Sequence, residues 1–229
     1  MSPHRERLAR VLPVLPVLFW AVVVADLVSL AGGYALGHTL AKPLLMPLLA
    51  LHARVCGGPR LLVAALLLGW GGDVLLLSHA DAAFLAGMAS FAAGHICYLV
   101  LFRRYGSAAR TGGAWLTGAY GIALVATVAL LWPDLPAGLR VPVAGYSLLL
   151  TAMAYGATRL GLVAGAGGAL FMLSDTLIAT GVADWPQLPR PDFWIMLTYI
   201  AAQFLLVRGT LDERHAPATA YREVRPTTP

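Results

Sequence analysis

Apolar residues fill this chain in long blocks, interrupted at fairly even intervals by short polar or basic stretches. Eight blocks stand out, at about 11–31, 41–55, 61–78, 83–102, 114–132, 140–158, 161–181 and 193–209. Most approach the roughly 20 residues that a helix needs to cross a bilayer. The pattern predicts an all-α, polytopic membrane bundle of eight transmembrane helices. The second block is short and contains Pro43 and Pro47, which predicts a kinked or tilted helix. The last block is also short and has room to begin earlier. Arg5, Arg7 and Arg10 ahead of the first block imitate a secretory signal. Seven more blocks follow, so the first is read as a retained helix.

This divides the chain into an N-terminal segment (1–10), one eight-helix transmembrane domain (11–209) and a polar tail (210–229). The tail carries three prolines and is expected to be disordered. No linker separates soluble modules. One internal echo is visible: GWGGDVLLLS at 69–78 and GAGGALFMLS at 165–174 share G-x-G-G-x-x-x-x-L-S. A parallel duplication of four helices would produce it. Small residues that let membrane helices approach would also produce it, and that is the simpler account.

Composition sharpens the class. Hydrophobic residues make up 59% of the chain and charged residues 12%, with a mean hydropathy of +0.75. Soluble domains carry roughly 25% charge. The net charge of +5 does not point to nucleic acid, because the basic residues sit in short clusters between apolar blocks. Their placement sets an orientation. With the N-terminus in the cytoplasm, thirteen arginines fall on the inner side; only Lys42, Arg140 and Arg190 fall outside. Both termini are therefore expected to be cytoplasmic. Fifteen arginines against one lysine, with abundant Ala and Gly, suggest a GC-rich bacterial genome and so the bacterial cytoplasmic membrane. Cys56 and Cys97 match no metal or disulfide spacing and read as small core residues.

Against this background two carboxylates are conspicuous: Asp73 in the third block and Asp175 in the seventh. A charge at the bilayer centre costs about 2.5–3.5 kcal/mol on insertion scales. Such a residue is a functional-site hypothesis by default. Both blocks run from inside to outside, and both aspartates fall in the outer half. They are expected to face a shared cavity. Lys42 opens the second block near that depth; snorkelling to the headgroups and pairing with an aspartate are both open. His95 and Tyr98 lie deeper, and for His95 a carbonyl-satisfied core role stands beside a site role. Ser174 neighbours Asp175, and a hydrogen bond to its side chain or to its backbone is open. Tyr199 and Gln203 lie one helical turn apart and read either as interhelical hydrogen bonders or as substrate contacts. Asp26 reads as a helix-end residue near the surface. Tyr34 and Trp185 read as interfacial aromatics.

Two carboxyl groups in a low-dielectric site cannot both ionise easily, which leaves one as an acid and one as a base. Such a pair can protonate a substrate and activate water. Metal binding is the competing use, but no H-x-x-x-H, C-x-x-C or D-x-x-D spacing supports it. A proton-coupled transporter is a third use. No G-x-S-x-G, P-loop or H-E-x-x-H motif occurs.

Several segments resemble the YhhN family of membrane proteins, which includes the lysoplasmalogenases. They are Lys42-Pro43, Gly72-Asp73 in GGDVLLLS, Gly94-His95 and Tyr98 in FAAGHICYL, GGALFMLSDTLIA (167–179) and LTYIAAQFLL (197–206). The resemblance covers roughly 11–209, and the stretch around Asp175 is its most specific piece. It implies a membrane hydrolase that cleaves the vinyl-ether bond of lysoplasmalogen, or a related lysophospholipid, to a fatty aldehyde and a glycerophospho-headgroup. It implies catalytic roles for Asp73 and Asp175 and imposes no metal or organic cofactor. On this reading Lys42 attracts the phosphate, and His95, Tyr98, Ser174, Tyr199 and Gln203 line the substrate pocket. The expected partners are the lysophospholipid and the bilayer. The alternative is a lipid or small-molecule transporter, or a binding protein, built on the same polar pocket.

Overall fold

Each apolar block becomes a helix, and most helices extend past the block that predicts them. The computed structural model describes residues 3–78, 80–107 and 113–215. Among the described residues there are eight α-helices: α1 (Pro3–Gly32), α2 (Ala35–Val55), α3 (Arg60–Leu75), α4 (Asp81–Tyr105), α5 (Ala114–Leu131), α6 (Ala137–Ala157), α7 (Leu162–Val182) and α8 (Pro191–His215). A 3-10 turn, Thr158–Leu160, joins α6 to α7. Six of the helices are long and apolar enough to cross a membrane: α1, α4, α5, α6, α7 and α8. The protein is an all-helical integral membrane protein. Part of the expected tail, residues 210–215, continues α8; residues 216–229 lie outside the described residues.

Helix α2 begins at Ala35, six residues before the block that predicts it, and runs through Pro43 and Pro47 without interruption. The polar residues that masked its start, His38 and Thr39, are satisfied. His38 pairs with Asp26 on α1, and Thr39 donates to the Ala35 carbonyl at 2.9 Å. Helices α1 and α2 are joined by a tight turn. Gly33, at φ +76, donates to Leu30 O at 3.2 Å, and Tyr34 donates to Ser29 O at 2.7 Å. This bond pair is the Schellman closure, which needs a left-handed residue and hence favours glycine. The end of α2 repeats it at Gly57, φ +78, with Pro59 following as the stop.

Contacts run α1–α2–α3–α4–α6–α7–α8 and close from α8 back to α1, giving a ring of seven helices. Helix α8 also reaches α2, α3 and α4. Helix α5 packs outside the ring against α6 and α7; Trp115, Ile122 and Val125 on it are exposed and apolar, as a lipid-facing helix requires. The core is filled by Leu45, Met46, Leu66, Tyr98, Phe102 and Phe171, all below 2% exposed.

The echo glycines lie at helix crossings. A Cβ on Gly167 would meet the Ala202 carbonyl of α8 at 2.9 Å, and one on Gly168 would meet the α6 backbone at Ala154 at 2.8 Å. Both distances are too short for a methyl group, so the small residues set how closely α7 approaches its neighbours.

Candidate active site

Asp73 stands near the C-terminal end of α3 and is 3% exposed. Gly69, one turn earlier, leaves room beside it: a Cβ there would come within 3.1 Å of Tyr199 Oη and 3.2 Å of Gln203 Nε2. Tyr199 fills that space and donates to Asp73 Oδ2 at 2.8 Å. Gln203, one turn further along α8, donates from Nε2 to Tyr199 Oη at 3.3 Å. Tyr98 on α4 donates to Gln203 Oε1 at 2.6 Å. The result is a buried chain, Tyr98 to Gln203 to Tyr199 to Asp73, that spans three helices and satisfies each hydroxyl and amide it uses.

Asp175 ends a second chain. Tyr146 on α6 donates a short hydrogen bond to Asp175 Oδ2. His95 Nε2 on α4 lies 3.0 Å from the same phenol oxygen. Since the phenol proton goes to Asp175, His95 Nε2 is the donor of that second bond. The sequence reading expected His95 and omitted Tyr146, the residue through which His95 acts. The available signal was a hydroxyl at mid-depth of the sixth block.

Aromatic rings lie between the two chains. Phe91, Phe171 and Tyr199 meet edge to face, with centroids 6.3 Å (Phe91–Phe171), 5.9 Å (Phe91–Tyr199) and 5.4 Å (Phe171–Tyr199) apart. Phe171 also meets His95 edge-on at 4.9 Å. Phe91 lies so close to Gly72 that a methyl group there would overlap its ring. An apolar cavity of about 70 Å3 opens on the Asp175 side, lined by Leu76, Phe91, Tyr146, Asp175 and Val182 among others. Asp175 is half-buried and faces it; Asp73 is not among the lining residues. The expectation of one cavity bordered by both carboxyls therefore gives way to two carboxyls on either side of an aromatic partition. The physical reason is Phe91, which occupies the space left by Gly72.

The remaining expected site residues separate. Ser174 turns away from Asp175 and donates to the Ile195 carbonyl at 3.1 Å, clipping α7 to α8. Lys42 lines a second, more polar cavity toward the start of α2. Asp26 is wholly buried instead of lying near the surface: His38 Nδ1 sits 2.8 Å from its Oδ1, while Oδ2 is buried with no hydrogen-bond partner. A hairpin with Gly-Gly at its tip, twelve positions from Asp26 to His38, was the overlooked signal for that pair.

This arrangement can be set beside known proteins. The sequence pattern of the YhhN family matches residues 37–210, from the first turn of α2 to the last turns of α8. The chain belongs to the YhhN family. It is similar to human lysoplasmalogenase TMEM86B, with 37% identity over 157 residues, covering 68% of this chain and 65% of the human protein. It is similar to the rat lysoplasmalogenase TMEM86B, with 34% identity over 172 residues, 74% of this chain and 70% of that protein. A lysoplasmalogenase of Mycobacterium tuberculosis (strain CDC 1551 / Oshkosh) is 31% identical over 206 residues, covering 82% of this chain and 77% of its own. The match thus spans just under two thirds of the human relative's length. No solved structure matches the chain. All four residues of the Asp73 network, and the three of the Asp175 network, lie inside the family-matched region.

Proposed function

We propose that this YhhN protein hydrolyses the vinyl-ether bond of lysoplasmalogens or closely related lysophospholipids. The products are a fatty aldehyde and a glycerophospho-headgroup. The observation that carries this reading is Asp175, an acid held by a phenol that an imidazole in turn bonds, on the wall of an apolar cavity. Similarity to proteins named lysoplasmalogenase supports the substrate class.

The chemistry follows from the bond. A vinyl ether is cleaved by protonating its β-carbon, so the catalyst must present a proton in an apolar place. Tyr146 occupies one oxygen of Asp175, and the other carries the proton. The double-bond electrons take that proton, and the α-carbon becomes an oxocarbenium ion. Asp175, now ionised, accepts a proton from water as the water adds to that carbon. The hemiacetal then collapses. Its hydroxyl proton passes to Asp175, the glycerol oxygen takes the proton Asp175 already held, and the C–O bond breaks. Asp175 ends protonated, as it began. Asp73, held by Tyr199 behind Phe91, supplies a fixed negative charge toward the cation. Glycosidases place two carboxyls around a similar ion. His95 orients Tyr146; Tyr98 and Gln203 orient Tyr199.

On the same reading all eight helices cross the bacterial cytoplasmic membrane, with both termini inside. The thirteen-to-three bias of basic residues supports this, and α2 at 21 residues has the length to span. Helix α3 is shorter, with 16 residues, and its outer end is closed by turn bonds from Leu76, Leu77 and Ser78.

The test is product formation by purified protein in D2O. A 1-alkenyl lysophospholipid should release an aldehyde carrying one deuterium beside the carbonyl carbon. The ester and alkyl-ether analogues should be untouched. Gradient-driven uptake into vesicles with no aldehyde would replace the hydrolase with a transporter.

A further inference from the structure

A second cavity, of about 460 Å3, lies beside the first and is not used by the chemistry above. It is bordered by the α1–α2 turn, the first turns of α2, the end of α3 and the start of α8. Lys42 and His38 enter it from α2, and Arg190 and Asp192 from the α7–α8 connection and the α8 N-terminus. Leu76 lines both cavities, so one side chain stands between this vestibule and the wall that carries Asp175.

Three features show that the vestibule is charged by design of the fold. Lys42 is half-buried, and among the described residues it makes no ion pair. Arg190 holds a left-handed backbone at φ 57, uncommon for a residue with a side chain, while its carbonyl accepts the Phe193 N–H at 3.0 Å at the start of α8. That backbone sends its guanidinium across to the α1–α2 turn, where a Cβ on Gly33 would meet Nη1 at 2.8 Å. His38 is fixed by the buried Asp26 through Nδ1, which leaves Nε2 for the vestibule. Among the described residues that line it, the fixed charges without an ion pair are therefore two cations, Lys42 and Arg190, and one anion, Asp192.

We infer that this vestibule binds the phosphodiester of a lipid headgroup. One phosphodiester carries one negative charge, and Lys42 with Arg190 supplies charged donors for it. Asp192 opposes a second negative charge, which sets a diester ahead of a phosphomonoester. The adjacency through Leu76 puts the first atoms of a chain attached to that headgroup toward Asp175. This last point rests on the hydrolase reading; the phosphate contact does not.

The experiment measures binding without turnover. The probe is a saturated 1-O-alkyl lysophosphocholine in detergent micelles, which has no vinyl ether to cleave. Equilibrium binding is compared for the wild type, Arg190→Gln and Lys42→Gln, and repeated with the 1-O-alkylglycerol of the same chain length. Each substitution should weaken lysophosphocholine binding about tenfold and leave alkylglycerol binding unchanged. Lys42→Gln lies on a helix, so it remains informative if the turn variant fails to fold. Equal losses with both lipids, or no loss with either, would overturn the headgroup site. Inorganic phosphate that binds alone with the same dependence on Arg190 would reassign the site to free phosphate. Arg190-dependent lipid binding in a protein that releases no aldehyde would keep this site and remove the hydrolase. Aldehyde release with unchanged binding in both variants would do the reverse.

Discussion

Removing one oxygen, in Tyr146→Phe, separates the proposed chemistry from mere packing. The ring stays, so its edge contacts and volume are kept. What is lost is the hydrogen bond to Asp175 and the acceptor that satisfies His95. A hydrogen bond to a charged group contributes about 1.5–3 kcal/mol, and roughly 1.4 kcal/mol is tenfold in rate. If Asp175 is held in its reactive geometry by this bond, kcat for aldehyde release should fall roughly 10- to 150-fold. KM should move little, because the phenol oxygen contacts Asp175 and His95. Stability should fall too, by about 1–3 kcal/mol, since His95 Nε2 is left buried without a partner. The assay is aldehyde release by purified protein in micelles, with a thermal melt on the same sample. A folded Tyr146→Phe protein that keeps wild-type kcat would refute the reasoning. So would a loss confined to KM, which would make Tyr146 a lipid contact.

Other substitutions probe the frame. Gly72→Ala should lower the melting temperature and the activity together, because its methyl group overlaps the Phe91 ring and α3 must move from α4; Gly118→Ala on the lipid-facing α5, with nothing within 4 Å, should do neither. Ser174→Ala should cost about 1 kcal/mol of stability through the lost Ile195 bond and leave kcat unchanged. Asp26→Ala should destabilise by about 3–5 kcal/mol, the usual result of stripping one member from a buried pair, and His38→Ala should do the same, both read from melts. Phe91→Ala should lower stability by about 3–5 kcal/mol, read from melts, because its ring packs against Tyr199 and lines the cavity.

The helices were legible because a membrane forces each span to satisfy its own backbone, so apolar length alone locates them. Boundaries drifted where polar side chains found partners from another helix. The start of α2 is the clearest case, since His38 looks like a loop residue until Asp26 is known to face it. The two aspartates inside apolar blocks were legible from the energy of burying a charge. Their supporting phenols divided: Tyr199 stood out beside Gln203, a turn away on the same helix face, while Tyr146 sits among aliphatic residues with no polar neighbour one turn away. Ser174 was misread because sequence adjacency to Asp175 says nothing about direction, and neighbouring residues on a helix point about 100° apart. The partition between the carboxyls was invisible for a related reason. Gly72 announces a close approach but not which side chain makes it.

The most direct measurement is the rate of aldehyde formation from a 1-alkenyl lysophospholipid by folded Asp175→Asn protein, read beside Asp73→Asn. The account predicts that Asp175→Asn abolishes release, because Asp175 is the one carboxyl among the described residues that line the cavity, while Asp73→Asn leaves a reduced but measurable rate. Wild-type release from Asp175→Asn, in a protein that melts normally, would contradict it.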